Sequence, residues 1–435
     1  MQKKYFSAWG NFPIKLGKLI TYKTVQEVQS FLSKKKPFIP VGNFRSYGDC
    51  ALNETMLKYN PVKKIKVNCE KETAVVSANV LIGDLIKKTL PMGLFPVVVP
   101  GTKFVTIGGA IAADIHGKNH HLEGCFSDHV LSFKLIKNNG QVVICEKKKN
   151  NELWKLTCGG MGLTGVIISA KLKLKKVNSS IIYQKSIKAS SIDELFDCFE
   201  KNNQDPFSVA WVDCTSRGHS LGRGIFMSGK FLDESKNHYY KVHHNPKFSI
   251  PFLLPKYFIN KITIKCFNNI YYRFSKNSQN RRHVHYDDFF FPLDKIKNWN
   301  RIYGDAGFLQ YQLVLPKISS NKGIKSILKL ISNSEEGSSL AVLKLFGKEN
   351  ENYLSFPMEG YTLSLDFKNT PRIHELLTKL DLIVNDNGGR IYLAKDSRIN
   401  IESFKNGYIG FKKFKDIYNN QKNIESVQSK RLLRA

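Results

Sequence analysis

The residues that decide the fold run from Pro100 to His121 and read PGTKFVTIGGAIAADIHGKNHH. The stretch opens on Pro-Gly, carries Gly108-Gly109 before a short run of small apolar residues, and closes on a polar group from Asp114 to His121. Glycine lets a backbone approach a large anion because no Cβ intervenes, and successive N–H groups can hold a pyrophosphate. The stretch therefore predicts a loop that lies beside a bound cofactor.

Two further glycine-bearing loops occur within the first 170 residues, GNFRSYGD at Gly42–Asp49 and GGMGLTG at Gly159–Gly165. Neither matches a dinucleotide or Walker fingerprint, and each one alone is equally typical of a tight turn. Each adjoins a predicted strand, so the three loops together favour one extended ligand that backbone groups hold from several sides.

Hydrophobic periodicity predicts regular elements around these loops. Helices are predicted over Val25–Lys35, Leu81–Leu90 and Glu152–Thr157. Strands are predicted over Pro37–Val41, Lys64–Asn68, Ala74–Val80, Leu94–Val99, His129–Ile136, Gln141–Cys145 and Val166–Lys175. Beyond Lys176 the elements become longer and richer in aromatic residues, which indicates a second domain.

The bulk composition sets limits on the function. A chain of 435 residues is expected to form two domains, and 42% hydrophobic with 12% aromatic residues exclude wholesale disorder. The net charge of +31 indicates an anionic partner or, equally, only a solvated lysine surface. No nucleic-acid-binding motif is present, so we expect no nucleic acid partner.

The cysteines and the apolar segments bear on location. Eight cysteines without a CxxC pair suggest reduced thiols in the cytoplasm. The N-terminus lacks the apolar region of a secretory signal, and no window offers the ~18 apolar residues of a membrane span. The basic and aromatic segment Phe231–Asp288 is expected to be the least regular part of the chain. It suits either an interfacial contact with an anionic membrane or a proline-broken core segment with a loop.

The polar end of the deciding stretch invites two other interpretations. His116, His120, His121 and His129 could suggest a metal site, but no cysteine or carboxylate stands at ligand spacing, so we expect no metal. A single histidine next to a cofactor fits the pattern better. No GxSxG motif is present to support a serine hydrolase.

Four blocks together resemble one family: GNFRSYGD, PGTKFVTIGGAIAADIHGKNHH, GGMGLTGVI and GGRIYLAKDSR at Gly388–Arg398. They are similar to the decaprenylphosphoryl-β-D-ribose 2-oxidases, flavoenzymes of the vanillyl-alcohol-oxidase type, and the resemblance runs from Ile39 to the basic tail SKRLLRA. It implies an α+β fold with a bipartite PCMH-type FAD-binding domain. Residues 1–176 would form that domain, 177–387 an inserted substrate domain on an antiparallel β-sheet, and 388–435 a segment returning to the FAD domain.

The resemblance also implies which residues hold FAD. Many relatives in the wider superfamily attach FAD covalently through a histidine in the first loop, but Arg45-Ser46 stand here, so non-covalent FAD is expected. Phe44 departs from the glycine that is common in family loops, which affects the expected backbone path. The implied cofactor residues are Pro40, Val41, Gly42, Asn43, Phe44, Arg45, Ser46, Tyr47, Gly48, Asp49, Gly101, Thr102, Thr106, Ile107, Gly108, Gly109, Ala113, Asp114, Ile115, His116, Gly162, Gly165, Ile167 and Tyr392.

Lys395 is the first candidate for a catalytic group, because the family places this lysine at the edge of the flavin. A cation there would stabilise the charge that develops during hydride transfer; without the motif, a surface lysine paired with Asp396 would explain it as well. Tyr47, His116 and Lys118 would line the sugar end. Either His116 or Lys395 could accept the hydroxyl proton.

The substrate pocket is expected in the second domain. Gln310 and Gln312 stand at i and i+2, which places both amides on one face of a strand. Lys344, Thr362 and Ser364 follow the same logic and match the family's pocket, although ordinary sheet polarity explains each of them too. Mycobacterial members carry a cysteine where Ser364 stands, so inhibitors that need a thiol should fail here.

The function implied is FAD-dependent oxidation of the ribose 2-hydroxyl of a polyprenyl-phosphoryl ribose. A separate keto-reductase would complete epimerisation to an arabinose lipid for cell-wall or surface polysaccharide, and the enzyme would associate peripherally with the inner face of the membrane. One alternative is a soluble oxidase of aldonolactones. The other is a non-enzymatic basic protein that binds membrane or nucleic acid.

Overall fold

The first 176 residues supply the strands that carry the glycine loops. The computed structural model describes residues 2–233, 240–242, 246, 248–255, 257–275, 278–334, 336–419 and 423–434. The strands of this half are β1 (Lys4–Ser7), β2 (Ile14–Tyr22), β3 (Ile39–Pro40), β4 (Thr55–Tyr59), β5 (Ile65–Asn68), β6 (Thr73–Ser77), β7 (Leu94–Pro96), β8 (Val130–Ile136), β9 (Val142–Cys145) and β10 (Val166–Lys176). Its helices are α1 (Val25–Leu32), α2 (Ile82–Thr89), α3 (Ile107–Ala112), α4 (His120–Glu123) and α5 (Asn151–Thr157).

Two sheets organise this half. A four-stranded sheet has the order β1-β2-β4-β3, and an antiparallel sheet has the order β5-β6-β10-β8-β9 with β7 also paired to β10. The predicted helices and strands are therefore present, most of them with shorter bounds, whereas β10 and α5 are each one residue longer than predicted. The strand predicted over Leu94–Val99 ends at Pro96, since the Val97 carbonyl accepts from the Asn119 side chain, at 2.8 Å, instead of a neighbouring strand.

The second half is built on one large sheet. Its strands are β11 (Ile181–Ala189), β12 (Phe207–Val212), β13 (Gly224–Phe231), β14 (Phe248–Ser249), β15 (Ser278–His285), β16 (Ile296–Lys297), β17 (Phe308–Pro316), β18 (Leu340–Phe346), β19 (Gly360–Lys368) and β20 (Arg390–Ile391). Its helices are α6 (Ile192–Lys201), α7 (Lys261–Phe274), α8 (Tyr286–Phe290), α9 (Lys317–Ser334), α10 (Pro371–Asp386), α11 (Ile401–Gly407), α12 (Phe411–Tyr418) and α13 (Val427–Leu433).

The large sheet is antiparallel and has the order β15-β11-β13-β12-β18-β19-β17-β20. Helices and antiparallel sheets thus give an α+β fold. The last strand, β20, comes from the C-terminal segment. The rest of that segment contacts the N-terminal half, because Ile424 bridges Phe38 and the Val427 N–H donates to the Leu52 carbonyl at 2.8 Å.

The segment Phe231–Asp288 is more regular than expected. Part of it lies outside the described residues, but it contains the 14-residue helix α7. It also contains seven of the eight aromatic side chains that are exposed among the described residues of the chain. These residues lie at the surface, whereas Phe231, Ile264 and Tyr286 of the same segment are buried, so the core interpretation holds only for part of the residues described. Within the described part of the chain, no helix combines the length and the apolar character needed to cross a membrane. All eight cysteines are free thiols.

Candidate active site

The three glycine loops meet in space. A Cβ added at Gly42 would lie 2.5 Å from the Thr106 hydroxyl, and the Asn43 side chain donates to the Phe104 carbonyl at 3.0 Å. A Cβ at Gly162 would lie 3.4 Å from Pro40. The loop after α5 also reaches α3, since the Met161 N–H donates to the Ala112 carbonyl at 2.9 Å. The three loops therefore form one continuous surface.

The first loop has the properties of a pyrophosphate cradle. Among the described residues, no hydrogen bond takes up the backbone N–H groups of residues 42–46. The Nε of Arg45 is buried and also lacks a partner there. Five successive amide donors and a guanidinium fit an anion. Gly101 faces open space, with no atom within 4 Å of an added Cβ, so a ligand can approach its backbone. The residues present fit FAD.

Phe44 explains how this loop turns without the family's glycine. Its φ of 50° lies in the left-handed region, which glycine adopts at little cost and which costs other residues about 1–2 kcal/mol. Its ring stacks on Phe6 with centroids 6.2 Å apart, which offsets part of that cost. The backbone path is thus the one a glycine would favour.

Other implied cofactor residues have roles within the protein. Thr106 caps α3, its hydroxyl accepting from the Gly109 N–H at 3.1 Å. A Cβ at Gly165 would lie 2.3 Å from the Ile136 carbonyl, so this glycine is needed for strand packing. Asp114 is fully buried. Its carboxylate accepts hydrogen bonds from the Ser127 N–H and from the side chains of Asn350, Asn352 and Ser355. Mainly its backbone is therefore left to contact a ligand.

The C-terminal block is locked onto the first loop. A Cβ at Gly48 would lie 1.6 Å from the Asp396 carbonyl oxygen, and the Tyr47 N–H donates to the Ala394 carbonyl at 3.0 Å. Arg431 donates to both buried carboxylates, at 2.9 Å to Asp49 and 3.0 Å to Asp396. The sequence identified Asp49 but assigned no role to Arg431, whose only signal was the basic tail.

Lys395 projects from this block onto Tyr47. Its Nζ lies 3.6 Å from the centroid of the Tyr47 ring, and the side chain is half-buried. Asp396 is instead engaged by Arg431 and by the Arg398 N–H, which rules out the expected alternative of a surface pair with Lys395. Burial lowers the pKa of Lys395 to about 7, against the opposing charge of Asp366.

The polar residues of the large sheet share one face. The register pairs Gln310 with Asp366, Gln312 with Ser364, and Lys344 with Thr362, and directly paired residues project to the same side. The predicted common face is therefore confirmed. These side chains are buried or half-buried rather than directed to solvent, which contradicts ordinary sheet polarity.

This face joins the glycine loop at His116. The Gln312 amide nitrogen lies 3.0 Å from His116 Nε2 and donates to the Thr362 hydroxyl at 3.2 Å. Burial, together with the charges of Lys344 and Lys395, lowers the pKa of His116 well below its ordinary value, so the ring is neutral. A neutral ring that accepts from Gln312 carries its proton on Nδ1. His116 is thereby held in one orientation.

Asp366 is a member of this cluster that the sequence analysis missed. It is 1% exposed and accepts from the Gln310 side chain at 2.5 Å, while its Oδ2 has no hydrogen-bond partner among the described residues. Burial raises the pKa of Asp366, and the nearby charge of Lys395 opposes this. The signal was available, because Asp366 follows Thr362 and Ser364 at the same two-residue spacing.

Lys118 and Lys344 complete the group of amines. Lys118 donates to the Phe289 carbonyl, and its Nζ lies 4.4 Å from that residue's ring centroid. Burial and the charge of Lys344 lower the pKa of Lys118 to about 7. Burial lowers the pKa of Lys344 to about 8. Three amines whose charge is poorly solvated line one site, which favours an anionic ligand.

The other histidines of the deciding stretch point elsewhere. His120 Nε2 lies 3.4 Å from the Cys125 sulfur, His121 bonds the Asp205 carbonyl at 3.0 Å, and His129 bonds the Glu123 carbonyl at 2.8 Å. No group of three or more His, Cys, Asp or Glu residues in the described ranges could hold a metal ion. Tyr392 donates to the Ala113 carbonyl at 2.8 Å and so joins the C-terminal block to the loop that carries His116.

Comparison with known proteins agrees with this site. Residues 19–146 match the family described as FAD binding domain. Over 376 residues the chain is 37% identical to the decaprenylphosphoryl-beta-D-ribose oxidase of Mycolicibacterium smegmatis, covering 83% of this chain and 80% of the relative. It is 28% identical to an uncharacterized protein in the mprA 5' region of Streptomyces coelicolor, covering 73% and 89%. Cytokinin dehydrogenase 2 of Arabidopsis thaliana is 29% identical over 26% of the chain and 23% of the relative.

The FAD-binding region, the anion cradle and the amine-lined site together define an FAD-dependent oxidoreductase. Within that class, the identity over most of both chains is decisive. The chain belongs to the decaprenylphosphoryl-β-D-ribose oxidase family.

Proposed function

We propose that this protein oxidises the 2-hydroxyl of the ribose in a polyprenyl-phosphoryl-β-D-ribose to a ketone, the first half of epimerisation to an arabinose lipid for cell-wall or surface polysaccharide. The observation that carries the proposal is that His116 bonds Gln312 on the polar face of β17, β18 and β19, and that the charges of Lys344 and Lys395 act on its ring. The charge of Lys344 also acts on Lys118. A sugar offers hydroxyls to the amides of that face, and its phosphodiester offers a charge to the amines.

The reaction removes a hydride from the sugar carbon and a proton from its hydroxyl. FAD, when bound non-covalently, supplies the hydride acceptor. Lys395 accepts the proton, since its pKa near 7 leaves a large share of neutral amine at neutral pH. The ammonium formed places a positive charge in the site as the electron pair leaves the sugar. His116, whose Nε2 is engaged by Gln312, orients the substrate.

The remaining residues bind and position the substrate. Gln310, Gln312, Thr362 and Ser364 provide hydrogen-bonding groups for the sugar hydroxyls on the sheet face, and Lys344 and Lys118 provide charge for the phosphate. The ring of Tyr47 positions Lys395, whose Nζ lies 3.6 Å from the ring centroid. The cofactor residues are those of the three loops together with Tyr392.

The domain division proposed is a bipartite FAD domain of residues 1–176 with the returning segment 388–435, and a substrate domain of residues 177–387 inserted between them. The Arg431 bridge to Asp49 and the Ile424–Phe38 pairing support the return of the C-terminal segment. The eight-stranded sheet supports the inserted domain.

Because the substrate carries a polyprenyl tail, we propose that the enzyme associates with the inner face of a membrane and passes its keto product to a separate reductase. The test is the visible spectrum of the purified protein, followed without oxygen while a polyprenyl-phosphoryl ribose is added. Loss of the flavin absorbance with this compound, and not with an aldonolactone, is the expected result. Bleaching only by the lactone would refute the substrate, and a protein that does not bind FAD would refute the activity.

A further inference from the structure

Helix α7 exposes apolar side chains that a surface helix usually buries. Its buried stripe contains Ile264 and the polar Asn268, which are 6% and 1% exposed. Its outward side carries Ile262, Phe267, Ile270 and Phe274, which are 77%, 53%, 52% and 77% exposed. Surface helices normally place such residues toward the core, and contiguous exposed apolar residues mark an interaction surface.

The orientation of α7 is fixed by specific contacts with the body of the protein. Asn268 donates to the buried carboxylate of Asp213 at 2.9 Å, and the Tyr272 hydroxyl donates to the Ala189 carbonyl at 3.2 Å. The rings of Tyr271 and Trp211 meet edge to face with centroids 4.8 Å apart. The apolar side therefore faces outward because the polar side is held.

The apolar surface continues into the residues before α7. Phe248, Phe252, Leu253, Tyr257 and Phe258 are 48% to 80% exposed. Of the eight aromatic side chains that are exposed in the described residues, seven fall between 248 and 274. This segment is also anchored, since the Leu254 N–H donates to the Arg301 carbonyl at 3.0 Å. One patch thus concentrates the exposed aromatic residues of the chain.

A cationic cavity lies along one flank of α7. Its volume is about 320 Å³, and its lining includes Arg217, Arg223, Lys261, Lys265, Ser216 and Asn269. Asp213 offsets the charge of Arg223, which it meets at 2.9 Å. Arg217 Nε donates at 2.8 Å to a neutral carbonyl, that of Ser332, so its charge remains uncompensated by that bond. Guanidinium, ammonium and hydroxyl groups in one concavity suit a phosphate.

We propose that α7 and residues 248–255 and 257–258 insert into the surface of an anionic phospholipid membrane, and that the cavity on the flank of α7 takes the phosphate of a lipid headgroup. Aromatic residues beside cations are the composition of an interfacial anchor. The cations could also bind the phosphates of a nucleic acid, but the exposed isoleucine and leucine side chains would make no favourable contact with it. This inference deepens the proposed membrane association. The docking site itself is argued from the exposed patch and the cavity, and only its biological role rests on the proposed function.

The patch lies close to the proposed active site. Ile259, directly after the exposed Tyr257 and Phe258, packs against the cluster of Tyr47, Trp299, Tyr303 and Phe308. Tyr47 is the residue that carries Lys395 on its ring. A membrane bound at this patch would therefore present a lipid-linked sugar near the group proposed to oxidise it.

The first experiment uses the two exposed cysteines as matched probe sites. Cys266 lies on α7, and Cys69 lies in the N-terminal half. An environment-sensitive dye is attached to Cys266 in full-length Cys69→Ser protein, or to Cys69 in Cys266→Ser protein. On adding phosphatidylcholine vesicles with about 30 mol% phosphatidylglycerol, the emission from Cys266 should shift to the blue and that from Cys69 should not. An unshifted Cys266 probe would overturn the proposal.

The second experiment tests the cavity by vesicle sedimentation. Arg217→Gln with Lys265→Gln should weaken binding by roughly 25-fold, about fivefold for each charge near the surface. The control, Lys66→Gln with Lys148→Gln, removes the same charge from exposed positions outside the patch. Equal losses in both double variants would refute a headgroup site, as would variant-sensitive binding of duplex DNA or inorganic phosphate without vesicle binding.

The apolar side is tested in the same way. Phe267→Ser with Phe274→Ser should weaken vesicle binding at least tenfold, whereas Ile318→Ser, at a 98% exposed position of α9, should not. Turnover of a water-soluble, short-chain phosphoryl ribose should be unchanged in all of these variants. Vesicle binding without such turnover in the wild type would refute the proposed function and leave the docking site standing.

Discussion

Replacement of Lys395 by methionine tests the proposed proton transfer most directly. Methionine keeps much of the length and the apolar stem of lysine but accepts no proton. The shift in the pKa of Lys395 from 10.5 to about 7 corresponds to about 5 kcal/mol against the ammonium, at about 1.4 kcal/mol per unit. The folded protein therefore holds this amine ready to take a proton, and methionine removes the acceptor.

The expected loss in the rate of flavin reduction is about 10²- to 10⁴-fold, the usual contribution of a positioned general base. The assay is anaerobic stopped-flow absorbance with saturating polyprenyl-phosphoryl ribose. In the wild type the rate should rise with pH through about 7, because the neutral amine is the active form, and this rise should disappear in the variant. FAD content should be retained, since the loops that hold it do not include residue 395.

Lys395→Arg separates the two roles that a lysine could have here. Arginine keeps a positive charge but does not deprotonate in the accessible range. If Lys395 is the base, Lys395→Arg should be as slow as Lys395→Met. An arginine variant with near wild-type reduction would show that charge alone is needed, and a methionine variant with unchanged reduction would remove Lys395 from the mechanism. Thermal unfolding serves as the control for correct folding. The melting temperature of Lys395→Met should not fall, because methionine removes a poorly solvated charge.

Two further predictions concern the support of the site. Arg431→Met should lower the free energy of unfolding by about 3–5 kcal/mol, because it leaves the buried carboxylates of Asp49 and Asp396 without their cation. Burial already raises the pKa of Asp49 to about 6, so the folded state binds more protons than the unfolded state. In urea denaturation, the loss in free energy of unfolding caused by Arg431→Met should therefore be larger at pH 8 than at pH 5. Equal losses at both pH values would contradict this. Gly48→Ala should prevent stable folding because its Cβ would meet a carbonyl oxygen at 1.6 Å, whereas Gly101→Ala should leave the melting temperature of the apoprotein unchanged and weaken FAD binding in a fluorescence titration. Unchanged FAD affinity in Gly101→Ala would show that FAD does not pass there.

The local elements and the cofactor loops could be predicted from the sequence because their signals are local. Glycines beside short strands and the spacing of Gln310 and Gln312 depend only on neighbouring residues. The common face of Gln310 and Gln312 follows from a period of two within one strand, whereas its pairing with β19 depends on the register of the sheet. The predicted elements of the first half therefore agree with the structure apart from their ends, as at Pro96.

The partners that act across the chain could not be predicted in this way. Arg431 meets Asp49 over a separation of 382 residues, and Asp366 acts on Lys395 from another element. Nothing in the composition of the basic tail distinguishes Arg431 from the lysines of the solvated surface. Helix α7 was not predicted, and which of its sides is buried depends on the hydrogen bond from Asn268 to Asp213. That choice is made by tertiary contacts.

The arrangement of charge gives the phosphodiester and the prenyl chain of the proposed substrate separate places. Inside the site, Lys118 and Lys344 have pKa values lowered mainly by burial, so a bound phosphodiester would favour their protonated forms and be held by them. Outside the site, the exposed aromatic residues between 248 and 274 offer a surface for acyl and prenyl chains, with the cationic cavity along one flank of α7. Tyr47 belongs to the apolar cluster that touches Ile259 and also carries Lys395 on its ring. Tyr47 thus links the amine proposed to take the proton to the cluster beside the exposed segment, as expected of an enzyme that oxidises a sugar whose tail stays in a membrane.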